Sequence, residues 1–407
     1  MIARMKTSWH AIVAATIVAC TQGGDRGAHS VDVRDSAGVT IVNNRYRPAD
    51  TVRVSAPIMQ IGSTDMDAED SYVFELVSDV AVFADGRIFV VDNHGARVAV
   101  FDRAAAWLFD LGREGTGPGE QRGPIRIGFH ADTVLIWDAI QRKLNRFTVN
   151  GEYLGSMVVA ERNAAVPLVP VPGGYIDEVE WGQHMDPAPA RGALVMRARD
   201  GTITDTILGP FPVPDIGWQW TDDSQRAGMM VNPPVFSVRP VWAVHARELF
   251  WSIPESGEIQ VHNAADGTLR RVIRTGQTAM ATTAQDREAQ VDAAISRFKI
   301  DPARRAAILK STTFAPVRPP FATFLIDDRG WIWLADHDPK HLERHHLGST
   351  WNVLDRDGAL RQTFQFPDTF ELRVIRNSRA FGITRDADGV EVIEVFDISQ
   401  ANSGTDQ

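Results

Sequence analysis

Residues 77–112 alternate apolar and polar positions in four short bursts. Val80, Val82 and Phe83 precede a turn at Ala84-Asp85-Gly86, and Ile88, Val90 and Val91 close on Asp92. A polar turn at Asn93-His94-Gly95 leads to Val98, Val100 and Phe101, and a last run from Trp107 to Leu111 ends at Gly112. A period of two makes strands with a core-facing side, and Gly, Asp and Asn mark where hairpins turn. Four strands joined this way form an antiparallel meander, the shape of one β-propeller blade.

The pattern recurs. Residues 124–157 carry IRIGF, VLIWD and LNRFTVNGEYLG, and residues 321–366 carry ATFLI, WIWLAD and WNVLDRDGALRQTFQF. Weaker copies cover 165–208 and 237–273, and a last copy, 371–398, has three strands and lacks a fourth. One blade cannot bury both faces of its sheet, so the copies are expected to stack around an axis. The stretch 51–61 also alternates, and it is assigned to the last blade as its missing strand. The predicted fold is therefore all-β: a six-bladed β-propeller of four-stranded antiparallel blades over residues 31–399, with a small helical insertion. The stretch 77–112 and its tail GREGTGPGE (112–120) resemble an NHL-type repeat. The resemblance to NHL-like six-bladed propellers extends over nearly the whole mature chain. It implies a fold and no particular activity, because one fold hosts many.

Two stretches break the pattern. Residues 209–236 are rich in Pro and aromatics, and residues 282–313 read as two helices. Val291, Ile295 and Phe298 share a helical face, and Asp301-Pro302 is an N-cap followed by Pro at the first helical position. Both insertions are expected on a face of the disc, where binding is often located.

The ends differ from the middle. Arg4 and Lys6 precede an apolar run from Trp9 to Ala19, too short to span a bilayer. It ends Ile17-Val18-Ala19-Cys20, which resembles the lipobox of bacterial lipoprotein signal peptides. That resemblance implies cleavage after residue 19 and acylation of Cys20; the competing reading is an ordinary secretory signal. Residues 20–30 would then be a polar, Gly-rich tether, and 400–407 a flexible tail. By the same resemblance, Thr21 rather than Asp permits delivery to the outer membrane.

Composition changes the picture in two places. The formal net charge is −10, and removing residues 1–19 takes away Arg4 and Lys6 and leaves −12. Nucleic-acid binding wants the opposite sign, so no nucleic-acid partner is expected. Cys20 is the only cysteine, which excludes an internal disulfide.

Candidate chemistry is sparse. Asp92, Asp138 and Asp336 end the second strand of three blades, either as a carboxylate ring or as caps on the following turn. His337, His341 and His345 would share one face if their loop were helical, and could then hold a divalent cation; a plain solvated loop is the alternative. Arg126, Arg239, Arg318 and Arg373 lie near the starts of inner strands, and if they point inward they make the channel mouth attractive to an anion. Pairing with Glu371 or other local acids competes with that reading. Trp218 and Trp220 give the 209–236 excursion aromatic surface, either for binding or for pinning the loop down.

Two functions remain open. One is an exported, lipid-anchored, monomeric module that binds a protein or a small, possibly anionic, ligand at the cell envelope, without a cofactor. The other is a hydrolase or lyase similar to the calcium-dependent lactonases, for which Asp79, Glu178 and Asn377 are candidate channel residues. No GxSxG elbow and no paired-cysteine motif favours an enzyme.

Overall fold

The computed structural model describes residues 31–399 apart from 46–50, 64–68, 160–167, 182–189, 214–217, 222–226, 231–234, 296–299, 339–346 and 387–388. Residues 1–30 and 400–407, on which the signal, lipidation and tail expectations fall, lie outside the described residues. Blade 1 runs from an inner strand, Val77–Val82, through Ile88–Asp92 and Arg97–Phe101 to an outer strand, Trp107–Leu111. The inner strands of blades 2 to 6 are Pro124–His130, Val169–Val171, Val241–His245, Phe321–Ile326 and Phe370–Arg376. Within every blade the strands pair antiparallel in chain order.

A separate apolar cluster fills each of the six seams between blades. Between blades 1 and 2, Phe89 and Val100 meet Ile136 and Phe147. Between blades 6 and 1, Ile383 and Val395 meet Val80 and Ile88, so the ring closes on itself. Both faces of a blade are therefore buried. That is why Ile88–Asp92 reads as an unbroken buried run rather than a strict alternation.

The N-terminal segment departs from expectation. It does not serve the last blade as one strand from 51 to 61. Met59–Ile61 supplies the fourth strand of blade 6, antiparallel to Glu391–Asp397. Thr51–Arg53 instead lies parallel to the outer strand of blade 5, Leu360–Gln365. Before that, a hairpin of Val31–Ser36 and Val39–Asn44 adds two strands to the outer edge of blade 4. Pro57 explains the split: it has no amide to donate and biases Ala56 away from a continuous register. The chain thus steps along the rims of blades 4, 5 and 6 before blade 1 begins. Asn44 fastens this strap, donating to the carbonyls of Arg274 at 3.0 Å and Gly358 at 2.8 Å and accepting from Leu360 N–H at 2.9 Å.

The helical insertion is α1 (Ala284–Ile295) and α2 (Pro302–Ser311). As the sequence predicts, the Asp301 carboxylate caps α2, accepting from the amides of Ala303 at 2.9 Å and Arg304 at 3.0 Å. Val291 is buried, whereas Phe298 lies outside the described residues.

Candidate functional site

The meander gives the disc two unlike faces. Turns between the first and second strands, and between the third and fourth, open on one side, here called the turn face. They are short: 131–132, 172–173, 246–247, 377–378 and 149–152, reaching only 83–87, 102–106, 198–202, 264–268, 327–331 and 355–359. The other connections open on the loop face, and these include 159–168, 182–190, 213–240, 275–320 and 338–346. Both insertions fall between the outer strand of one blade and the inner strand of the next, so both belong to the loop face. They also touch. Val235 N–H donates to Thr313 O at 2.9 Å, Ala315 N–H donates to Val235 O at 2.8 Å, and the Phe236 and Phe314 rings lie 5.8 Å apart.

Beneath these insertions the inner strands are bulged at their loop-face ends. Ser78, Ile125, Ala322 and Arg373 are each the extra residue of a register shift in blades 1, 2, 5 and 6. A bulge re-aims side chains, and here it bends strands at the channel mouth. Asp79 follows one bulge, accepting from Ile127 N–H of the next blade at 3.1 Å and from Val80 N–H at 3.0 Å. Burial pushes its pKa up, opposed by the charges of Arg126 and Arg373 from the blades on either side.

The four arginines singled out from sequence are occupied. Arg239 pairs with Glu178 at 3.2 Å and also with Glu180, Arg318 with Asp286 at 3.4 Å, and Arg373 with Glu371 at 2.9 Å. Arg126 donates to the carbonyls of Ser78 and Ile125, both at 3.3 Å. Each of these four cations is therefore already engaged by a carboxylate or a backbone carbonyl. Glu178 also accepts from Trp242 Nε1 at 2.8 Å; burial raises its pKa, and Trp242 and Arg239 hold that rise back. Sequence reading missed Trp242, Glu180 and Asp286. Only Asp286 carried a local signal, as the acid of a helix-start box in which Thr283 N–H donates to its Oδ2 at 2.9 Å.

The recurring aspartates divide. Asp92 accepts from the amides of Leu76 and Gly95, both at 3.2 Å, and Asp138 from those of Arg122 at 2.7 Å and Gln141 at 2.9 Å. Those two cap turns. Asp336 instead accepts from side-chain amides, Asn352 Nδ2 at 2.6 Å and Gln277 Nε2 at 3.3 Å. Burial pushes its pKa up to about 6 against those two hydrogen bonds. The glycine-rich loop after blade 1 is filled from within: Glu120 accepts from Gly117 N–H at 2.8 Å and pairs with Arg113 at 3.0 Å. A Cβ on Gly115, at φ +149°, would lie 2.1 Å from the Glu120 carboxylate.

The remaining candidates do not converge. His337 ends a strand, Ile332–His337, and pairs with Leu347, so no helix starts there to align it with His341 and His345. Those two lie outside the described residues, among which no group of three or more His, Cys, Asp or Glu side chains is placed to hold a metal. Asn377 sits in the turn after Phe370–Arg376, on the turn face, away from Asp79 and Glu178 at the loop-face end. Trp218 and Trp220 lie on a two-stranded ribbon, Trp218–Thr221 with Ala227–Met230, whose side chains are outside the description.

A family model described as a 6-bladed beta-propeller matches residues 58–175. No curated protein matches. Among solved structures, a Bacteroides fragilis protein named as a candidate exported protein is 9% identical, with 84% of this chain and 99% of that chain covered and a TM-score of 0.44. Agrobacterium tumefaciens regucalcin, a calcium-binding protein, is 10% identical over 85% of this chain and 97% of its own, with a TM-score of 0.39. A Xanthomonas campestris gluconolactonase is 14% identical over 86% and 99%, with a TM-score of 0.38. At such identities the likeness is one of fold alone, and the fold of this chain is an all-β, six-bladed propeller.

Proposed function

We propose that this chain is an exported, lipid-anchored binding module of the cell envelope that engages its partner through the loop face. One observation carries the reading: the excursion and the helical insertion join through Val235 and Thr313–Ala315 to form one wall beside the channel mouth. Side chains from different blades converge there, as a concave site requires. The ion pairs around the mouth suit a partner that carries both signs of charge, such as a protein loop. A carboxylate or phosphate group on that partner would compete for Arg239 or Arg373 through charge-assisted hydrogen bonds. The lipid anchor rests on the lipobox-like end of the leader, and the repeat is NHL-like by pattern.

Two measurements test this. Mass spectrometry of the mature N-terminus should find a diacyl- or triacyl-modified Cys20, and a Cys20→Ala protein should leave the membrane fraction. For the face, a ligand found by thermal-shift screening should lose its effect in Arg239→Ala and Trp218→Ala. A ligand that binds both variants as well as the parent chain places the working surface elsewhere.

A further inference from the structure

The turn face holds the opposite electrostatic arrangement, at the seam where the ring closes. A cleft of about 360 Å³ lies there between blades 6 and 1. Its walls carry Arg103, Arg376 and Arg379, with Ile88 and Phe381 among its apolar lining. That volume is within the usual range for small-molecule sites. Asp85 is the one carboxylate in the lining, and it is taken: Arg87 donates to it from Nε at 2.8 Å and from the backbone at 3.0 Å. Asp328, from the neighbouring turn of blade 5, is likewise occupied by Asn377 N–H at 2.9 Å.

Arg376 and Arg379 are directly opposite one another across the two-residue turn Asn377-Ser378. That turn has φ of 52° and 56°, so the hairpin is tight and holds the two residues in register. Like charges facing each other across an antiparallel pair destabilise it unless something of opposite charge lies between. The Arg376 Nε–H is out of reach of solvent and has no acceptor. Arg379 lies opposite Asp397, whose carboxylate feels its charge and also accepts Ser399 N–H at 2.8 Å, which leaves Arg376 and Arg103 as the cleft's less compensated cations. Three guanidinium groups thus gather around a lining with one carboxylate, Asp85, on a chain whose net charge is −10.

We propose that this cleft is a second binding site, distinct from the loop face, for a small organic oxyanion with a compact apolar group. Its carboxylate or phosphate oxygens would sit between Arg376 and Arg379 within reach of Arg103, as planar guanidinium forks favour. Its apolar part would rest on Phe381 and Ile88.

Titration calorimetry of the full chain with benzoate, phenyl phosphate and benzyl alcohol tests the site. Benzoate or phenyl phosphate should bind saturably, and which of the two binds tighter tells carboxylate from phosphate. Binding should weaken as salt rises, and benzyl alcohol should not bind. Arg376→Gln should weaken the binding by about tenfold or more, as loss of a charged hydrogen bond does. Arg103→Gln, at an exposed side chain, should weaken it in the same direction. Arg199→Gln, on the equivalent turn of blade 3, should change nothing. The proposal is overturned if neither anion binds by about 10 mM, or if both bind Arg376→Gln and Arg103→Gln as tightly as the parent chain.

Discussion

The two faces of this disc are built by different rules. On the turn face a local aspartate organises one short turn after another. Asp102 accepts from the amides of Ala104 at 2.8 Å and Ala106 at 2.9 Å. Asp327 does the same for Arg329 at 2.9 Å and Trp331 at 2.8 Å, and Asp355 for Asp357 at 3.0 Å and Ala359 at 2.9 Å. On the loop face, beside the local caps of Asp92 and Asp138, bonds cross blades: Asp79 reaches blade 2, and Arg239 of the connection into blade 4 reaches Glu178 of blade 3. A face made of self-sufficient turns holds the ring's shape. A face made of long connections is free to vary, and recognition tends to collect there. The exception is the arginine hairpin of blade 6, a short turn that sets two like charges opposite each other.

The largest expected effect breaks the comparison altogether. Deleting residues 38–62 removes the closing strand Met59–Ile61, the strand on blade 5 and half of the hairpin on blade 4. Ile61 goes with them from the seam between blades 6 and 1. The chain should lose its cooperative melt by circular dichroism, since an open ring exposes both an edge and a core. A melt at the full-length temperature would show that the strap closes nothing.

The next effect measures the turn face. Asp327 is buried and also accepts from Trp333 Nε1 at 3.3 Å and Arg329 Nη2 at 2.8 Å. Asp327→Ala leaves several buried donors without an acceptor and should cost about 3–4 kcal/mol in denaturant unfolding. A cost below about 1 kcal/mol would mean that such turns are not what holds this face.

A third effect belongs to the loop face and depends on pH. Asp336 has a pKa near 6 in the fold, against 3.8 for the free side chain. Its carboxyl stays neutral in the fold where the unfolded chain has already ionised. The stability tied to the neutral form is complete below pH 4 and is lost as pH rises through about 6. The loss amounts to roughly 3 kcal/mol by pH 7. Asp336→Asn should flatten the stability profile between those limits relative to the parent chain. Parallel profiles for the two proteins would rule Asp336 out as the source.

The smallest effect is on the loop-face ion pairs. Arg318→Ala breaks a pair with Asp286 near the start of α1 and should cost less than about 1 kcal/mol. A cost as large as that of Asp327→Ala would erase the contrast between a face that builds and a face that binds.

Much of the architecture was legible because its causes are local. Alternating residues bounded by Asp-Gly turns set the blades, and Asp301-Pro302 set the start of α2, since hairpin turns and helix caps are chosen by residues within a few positions of each other. Both insertions follow an outer strand, and counting strands alone would have put them on one side.

What only the tertiary structure decided was pairing across blades. The alternation of 51–61 was read as one strand, whereas only its two ends are strands, and which sheet each end joins depends on the exposed edges of blades 5 and 6, far along the chain. The arginines were read as a group at the inner-strand starts, whereas Arg239 lies in the connection before Val241–His245 and Arg318 in the short strand Val317–Arg318 of the helical insertion. The local pairing of Arg373 with Glu371 was legible, but that of Arg239 was not, because Glu178 is 61 positions away and its approach is set by how blades 3 and 4 pack. The facing arginines of blade 6 could have been seen in Arg376-Asn377-Ser378-Arg379, but not the cleft, which needs blade 1 beside it. Turns and caps are short-range and leave a signature in the sequence; seams, clefts and ion pairs are contacts between blades and exist only once the ring has closed.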